Sequence, residues 1–262
     1  GVNVATIRRN SENFISEQVR ADTTVYHERN AVKTQSENVD NLLASTTTGL
    51  TPAMSSFFKS FQGGADDPTS IPQRQLLLTQ SEGLVSRFHS LDSRLNSQMR
   101  GIDLELEAAT SSINSLSQSL AELNESISIA VGAGQGDQPN NLLDTRDETL
   151  RQLSELVNVT SFAQSADGQI NVFIGNGQPL VLGNGASMLG VVASPNDPTR
   201  KEISLELNGV SQIISDELSG GKIGGLFEFR NNDLTEAINS LGRIAIVLSD
   251  SVNEQHSLRS EE

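Results

Sequence analysis

The chain has 262 residues, of which 35% are hydrophobic but only 4% aromatic, and it carries a formal net charge of −15. Such a composition suits a slender core, and an acidic surface without any local basic run argues against a nucleic-acid or anionic-membrane partner. There is no cysteine, so disulfides, thiolate nucleophiles and cysteine-based metal sites are excluded.

The first residue is glycine rather than methionine, and the last four, RSEE, carry no terminating signal; the chain reads as an internal fragment of a longer protein. A first helix is expected over 11–44, with Val25, Val32 and Val39 seven apart and Phe14, Ala21 and Leu42 on a neighbouring row. It runs into the turn-rich STTTGLTP. A short amphipathic piece follows around Phe57, Phe58 and Phe61 and stops at GGADDP.

The strongest periodic signal begins at Leu95. Apolar residues recur at Leu95, Met99, Ile102, Leu106, Ala109, Ile113, Leu116, Leu120, Leu123, Ile127 and Ala130, alternating spacings of four and three. This heptad seam, extended back through Leu78, Val85 and Phe88 towards Pro72, predicts one helix over 72–131, about 90 Å long at ~1.5 Å per residue. It should pack against the helices over 11–44 and 221–258. The longest uninterrupted apolar run, IAIVL at 244–248, is far below the roughly 20 residues of a membrane span.

A further helix is expected from Pro139, in the first helical position, with Asp144, Asp147 and Glu148 near the positive end of its dipole and Leu143, Leu150, Leu153 and Val157 on its apolar face. Between 158 and 219 the turn chemistry changes. Asp167-Gly168, Asn176-Gly177, Asn184-Gly185 and Asn208-Gly209 separate short β-prone runs such as INVFI, PLVL and EISLEL, predicting a small antiparallel unit. After LSGGKIGG the helical period returns through Phe227, Leu234, Ile238, Leu241, Ala245, Leu248 and Val252. The fold class is therefore mainly α with a small antiparallel β insert: an elongated, coiled-coil-like bundle formed by 1–157 plus 220–262, with 158–219 as the insert.

Two arginines occupy apolar stripes, Arg146 within NLLDTRD and Arg230 within LFEFRNNDL. A guanidinium buried without a partner is costly, so both are expected to be helix clamps, paired with carboxylates or helix-end carbonyls, with Asp144, Asp147 and Asp233 near enough in sequence to help hold the charge. A catalytic arginine would instead open on a concave pocket shared with another titratable group. Asp147 also stands four residues before Arg151, the spacing of a helical ion pair.

Other candidate chemistry is incomplete. HERNA at 27–31 has Ala31 where a zinc helix needs its second histidine, and the remaining histidines are His89 and His256. GAGQGD at 132–137 places Asp137 at the third glycine of a dinucleotide fingerprint, and it follows a helix rather than a strand. GGKIGG at 220–225 has Ile223 where a phosphate loop needs Ser or Thr; its glycines are expected to free the strand-to-helix turn. No Gly-x-Ser-x-Gly elbow occurs, and no role is assigned to the sequons at Asn124 and Asn158. No catalytic, cofactor or metal residue is expected.

The segments NNLLDTRDETLRQLSELVNV and GGKIGGLFEFRNNDLTEAINSLGRIAIVLSDSVNEQH resemble the paired segments of the flagellar hook-associated protein 1 family, the bacterial hook–filament junction proteins. GVNVATIRR, DNLLA and DPTSIPQRQLLLTQSEGLVSRF resemble that family's earlier blocks in the same order. The likeness is weakest over the strand-rich insert. It departs from the family pattern at RRNSENFI, where an acidic residue is expected, and at Thr145, where the family often shows Gln.

The resemblance implies a structural, non-enzymatic subunit of flagellum assembly and motility, exported by the flagellar type III apparatus to the extracellular flagellum. It implies hook protein, hook-associated protein 3 and further copies in a junction ring as partners. The family's terminal helices, which carry polymerisation and export-chaperone recognition, would lie outside this fragment. A helical tip or translocator protein of a type III secretion system is the alternative, marked by a long apolar hairpin; an all-helical lyase is a third.

Overall fold

The computed structural model describes residues 13–44, 49–133, 139–164, 167–207 and 209–258, with the side chains of 13–14 and 256–258 left aside. The blocks GVNVATIRR and most of GAGQGD, together with Asn208 and the side chain of His256, lie outside the described residues. Among the described residues there are six α-helices: α1 Asn13–Leu43, α2 Leu50–Asp66, α3 Ile71–Ala133, α4 Asn140–Leu156, α5 Gly221–Phe229 and α6 Thr235–Leu258. Among the described residues seven short strands lie between α4 and α5: β1 Val159–Ala163, β2 Ile170–Ile174, β3 Gln178–Leu182, β4 Gly185–Ala186, β5 Met188–Ala193, β6 Lys201–Leu207 and β7 Val210–Ile213. The mainly helical class with a small antiparallel insert is thus borne out, and the strands form two sheets, β1-β2-β3-β4 and β5-β6-β7, rather than one.

The chain packs as two compact units, one of residues 1–33 and 102–228, the other of 34–101 and 229–262. In the first, α3 contributes to the core together with α4, α5 and the strands. Ile102, Leu106, Ile113, Leu120 and Ile127 are fully buried and Ala109 nearly so, whereas Leu116 and Leu123 are only half-buried. Deep burial passes from these two to their neighbours Ser117 and Asn124, and Ala121 is buried beside Leu120, because the buried stripe of α3 is wider than a two-position seam. A polar row at seven-residue spacing, Asp103, Thr110, Ser117 and Asn124, lies buried beside the apolar one.

The stripe of α1 also differs from expectation. Val25 is 55% exposed, and the buried line runs instead through Thr24, Ala31, Gln35 and Val39. The reason in the first unit is close approach. A Cβ built on Gly225 would stand 2.3 Å from the Glu28 carbonyl oxygen and 2.8 Å from Ala31 Cβ, so α5 meets α1 backbone to backbone, and small residues must face the contact. Thr24 Oγ1 donates to the Ser154 carbonyl at 3.0 Å, tying α1 to α4. The GGKIGG segment serves both purposes: Gly220 and Gly221 take φ of +70° and +58° at the turn into α5, and Gly224 and Gly225 make room for α1.

In the second unit the α3 seam runs back from Met99 and Leu95 through Leu91 and Leu84, all buried, while Leu78 and Val85 are exposed. Stepping back from Leu95 by four, three and four residues reaches Leu91, Phe88 and Leu84, which places Leu78 and Val85 off the stripe. The returning helical segment is not continuous: a π-helical turn, Arg230–Leu234, separates α5 from α6. In α4, Pro139 is the N-cap rather than the first helical residue, and the first turn holds no acidic residue, Asp144 standing one turn in.

Two glycine substitutions separate close packing from helix propensity. Gly225→Val drives a side chain into α1 and is expected to cost about 1–3 kcal/mol. Gly101→Ala, where a Cβ meets nothing within 4 Å inside α3, is expected to gain up to about 1 kcal/mol. Urea denaturation of both variants checks the pair.

Candidate functional site

Strands laid against a helix leave backbone groups that no neighbouring strand can pair. In the first unit α3 supplies the partners from its side chains. Asn114 lies half-buried and pairs with both backbone groups of Leu189: its Nδ2 donates to the carbonyl at 2.8 Å and its Oδ1 accepts from the N–H at 2.9 Å. The amide replaces a strand neighbour on the edge of β5 that faces away from β6.

Asn124, fully buried ten residues further along α3, does the same for the other sheet. Its Nδ2 donates to the carbonyls of Ile170 at 2.7 Å and Gly183 at 2.6 Å, and its Oδ1 accepts from Ile170 N–H at 3.2 Å. Asp103 Oδ1 accepts from the N–H of Lys201, the first residue of β6, at 3.3 Å. One helix face thereby fixes β2, the loop after β3, β5 and the start of β6.

Arg146 belongs to the same assembly. Its Nη1 donates at 2.8 Å to the carbonyl of Gly168, in the turn between β1 and β2, and a Cβ on that glycine would stand 3.0 Å from Ile127 Cγ2 of α3. Nε lies 3.8 Å from Asp147 Oδ1. Asp144 is exposed. The arginine therefore holds a hairpin tip through a main-chain carbonyl.

Arg146 and Asp147 also line a small polar cleft of about 150 Å³ with Glu17, Arg20 and Ser161. The concave pocket with titratable neighbours that the catalytic reading demands is thus present, although the guanidinium is committed to Gly168. Arg151 turns to Glu148 at 2.7 Å and Glu155 at 2.6 Å, rather than to Asp147. The hydrogen bonds from Arg151 and Gln152 hold the Glu148 carboxyl down at about 2.

The second stripe arginine, Arg230, is 1% exposed and opens the π turn of the second unit. Its Nε donates to Asn231 Oδ1 at 3.3 Å, and its carbonyl accepts from Thr235 Oγ1 at 2.7 Å. Asp233 is exposed and accepts from Ser36 Oγ of α1 at 3.2 Å. The five clamp candidates are thus not brought together. Arg146, Asp144 and Asp147 lie in one unit, Arg230 and Asp233 in the other.

The sequence reading missed Asn114 and Asn124. A signal was available for Asn124, since Asp103, Thr110, Ser117 and Asn124 keep the heptad interval beside the seam. Among the described residues no group of three His, Cys, Asp or Glu side chains could hold a metal ion, and no helix is long and apolar enough to cross a membrane.

The fold and these contacts define a class: a packing module in which long helices carry short sheets through side-chain-to-backbone bonds. The chain belongs to the FlgK family: residues 36–259 match the flagellar hook-associated protein FlgK helical domain. It is 35% identical to flagellar hook-associated protein 1 of Escherichia coli strain K12 over 261 residues, and 34% identical to that of Salmonella typhimurium over 262. These alignments cover 98% of the chain but 47% of each relative, so the chain spans about half their length. The structure of the flagellar hook junction protein FlgK from Burkholderia pseudomallei is similar, with TM-score 0.74 and 30% identity, covering 82% of this chain and 39% of that one.

The asparagines give a direct test. Asn124→Ala removes three hydrogen bonds and strands buried backbone groups of Ile170 and Gly183; it is expected to cost about 2–4 kcal/mol and to raise amide exchange in β1–β4. Asn114→Ala is expected to cost about 1–3 kcal/mol, with the exchange confined to β5–β7. Hydrogen-exchange mass spectrometry resolves the two patterns.

Proposed function

We propose that the chain is part of a structural junction subunit of the bacterial flagellum, connecting hook to filament without catalysis. The observation that carries this reading is the similarity to hook-associated protein 1 across 98% of the chain. The relatives give no support to the secretion-tip alternative. In this reading the subunit works outside the cell after export through the flagellar type III apparatus. Its partners are hook protein, hook-associated protein 3 and copies of itself in a ring, with export-chaperone recognition placed in parts of the protein beyond this chain.

The internal organisation fits a structural role. In this reading residues 158–219 are an insert in a helical bundle of 1–157 plus 220–262, with the α3 residues Ile102 to Ile127 as the support of its strands. Arg146 is the clamp of the first β-hairpin. Arg230, with Asp233 bonded to α1, braces the second unit at its π turn.

The functional reading is tested by complementation. A strain lacking its own hook-associated protein 1 receives a full-length version in which this segment replaces the matching region. Filaments and swimming are expected to return. Hooks without filaments, despite normal levels of the chimera, would overturn the reading. The isolated 262-residue chain is expected to be monomeric by light scattering, and a stable ring from it alone would place the self-association surface here.

The clamp is tested by comparing two arginines. Arg146→Ala is expected to cost about 2 kcal/mol, the range of a partly buried charge-assisted hydrogen bond, and Arg151→Ala under about 1 kcal/mol because its pairs are exposed. Glu148 has its folded pKa depressed, so its contribution is present above about 4.5 and lost as pH falls through about 2. Melts of both variants at neutral pH and near pH 2 should show the Arg151 difference vanish in acid. An Arg146 variant as stable as the parent would remove the clamp.

A further inference from the structure

We draw no further inference here: the strongest candidate, the apolar groove between α2 and α6 lined by Phe57, Phe58, Phe61, Ile244, Val247 and Val252, carries nothing because nothing in the structure shows what covers it.

Discussion

A β-strand placed beside a helix has main-chain donors and acceptors that the helix backbone, already saturated by its own bonds, cannot satisfy. Each such group buried without a partner costs on the order of 1–3 kcal/mol, a large share of a domain's net stability. The strand-bearing unit is organised around this constraint. Carboxamides meet it well because one side chain offers a donor and an acceptor side by side, in the arrangement a neighbouring strand would present. At Leu189 and Ile170 the N–H and C=O of a single residue are satisfied by a single asparagine. An apolar residue at either position would bury as much carbon and leave both backbone groups unpaired.

The same economy of main-chain contact explains the glycines and Arg146. Where α5 meets α1 the backbones approach so closely that Gly225 has no room for a Cβ, and the facing residue is Ala31. Where α4 passes the hairpin between β1 and β2, a long side chain reaches across and ends on the Gly168 carbonyl. Side chains of very different size thus join elements at separations from direct backbone contact to the span of an arginine. The seam leucines and isoleucines of α3 supply the burial; the polar residues beside them decide what lies against it.

Much of this was legible in the sequence, unevenly and for physical reasons. The α3 seam is a local pattern in one helix, and burial of Leu106, Ile113 and Leu120 follows from it. Hairpin turns at Gly168 and Gly177 announce themselves because positive φ selects glycine. The α1 stripe was misplaced onto Val25 because valine is the more hydrophobic choice, whereas the true contact selects for small size, a property set by a partner almost 200 residues away. The π turn at Arg230–Leu234 falls between Phe227 and Leu234, both of them buried, so their seven-residue apolar interval does not announce it. Asn114 has no companion at heptad spacing, and its role depends wholly on where Leu189 arrives. Arg146 was visible as an anomaly on an apolar face, but its partner is a carbonyl, and every residue has one of those.

The asparagine contacts also bear on how the chain reaches its fold. They link residues 46, 59 and 75 positions apart, and the Asp103 contact spans 98. The helices and individual hairpins rest on local bonds and can form quickly, whereas docking a sheet onto α3 must first close a long loop, whose entropic penalty is offset only when the contact is made. The loop-closure penalty thus falls on docking the sheets onto α3 rather than on forming the hairpins themselves. An apolar seam alone would bury a slipped strand nearly as well as the native one, whereas Asp103, Asn114 and Asn124 each pair with particular backbone groups and so distinguish one strand alignment from its neighbours.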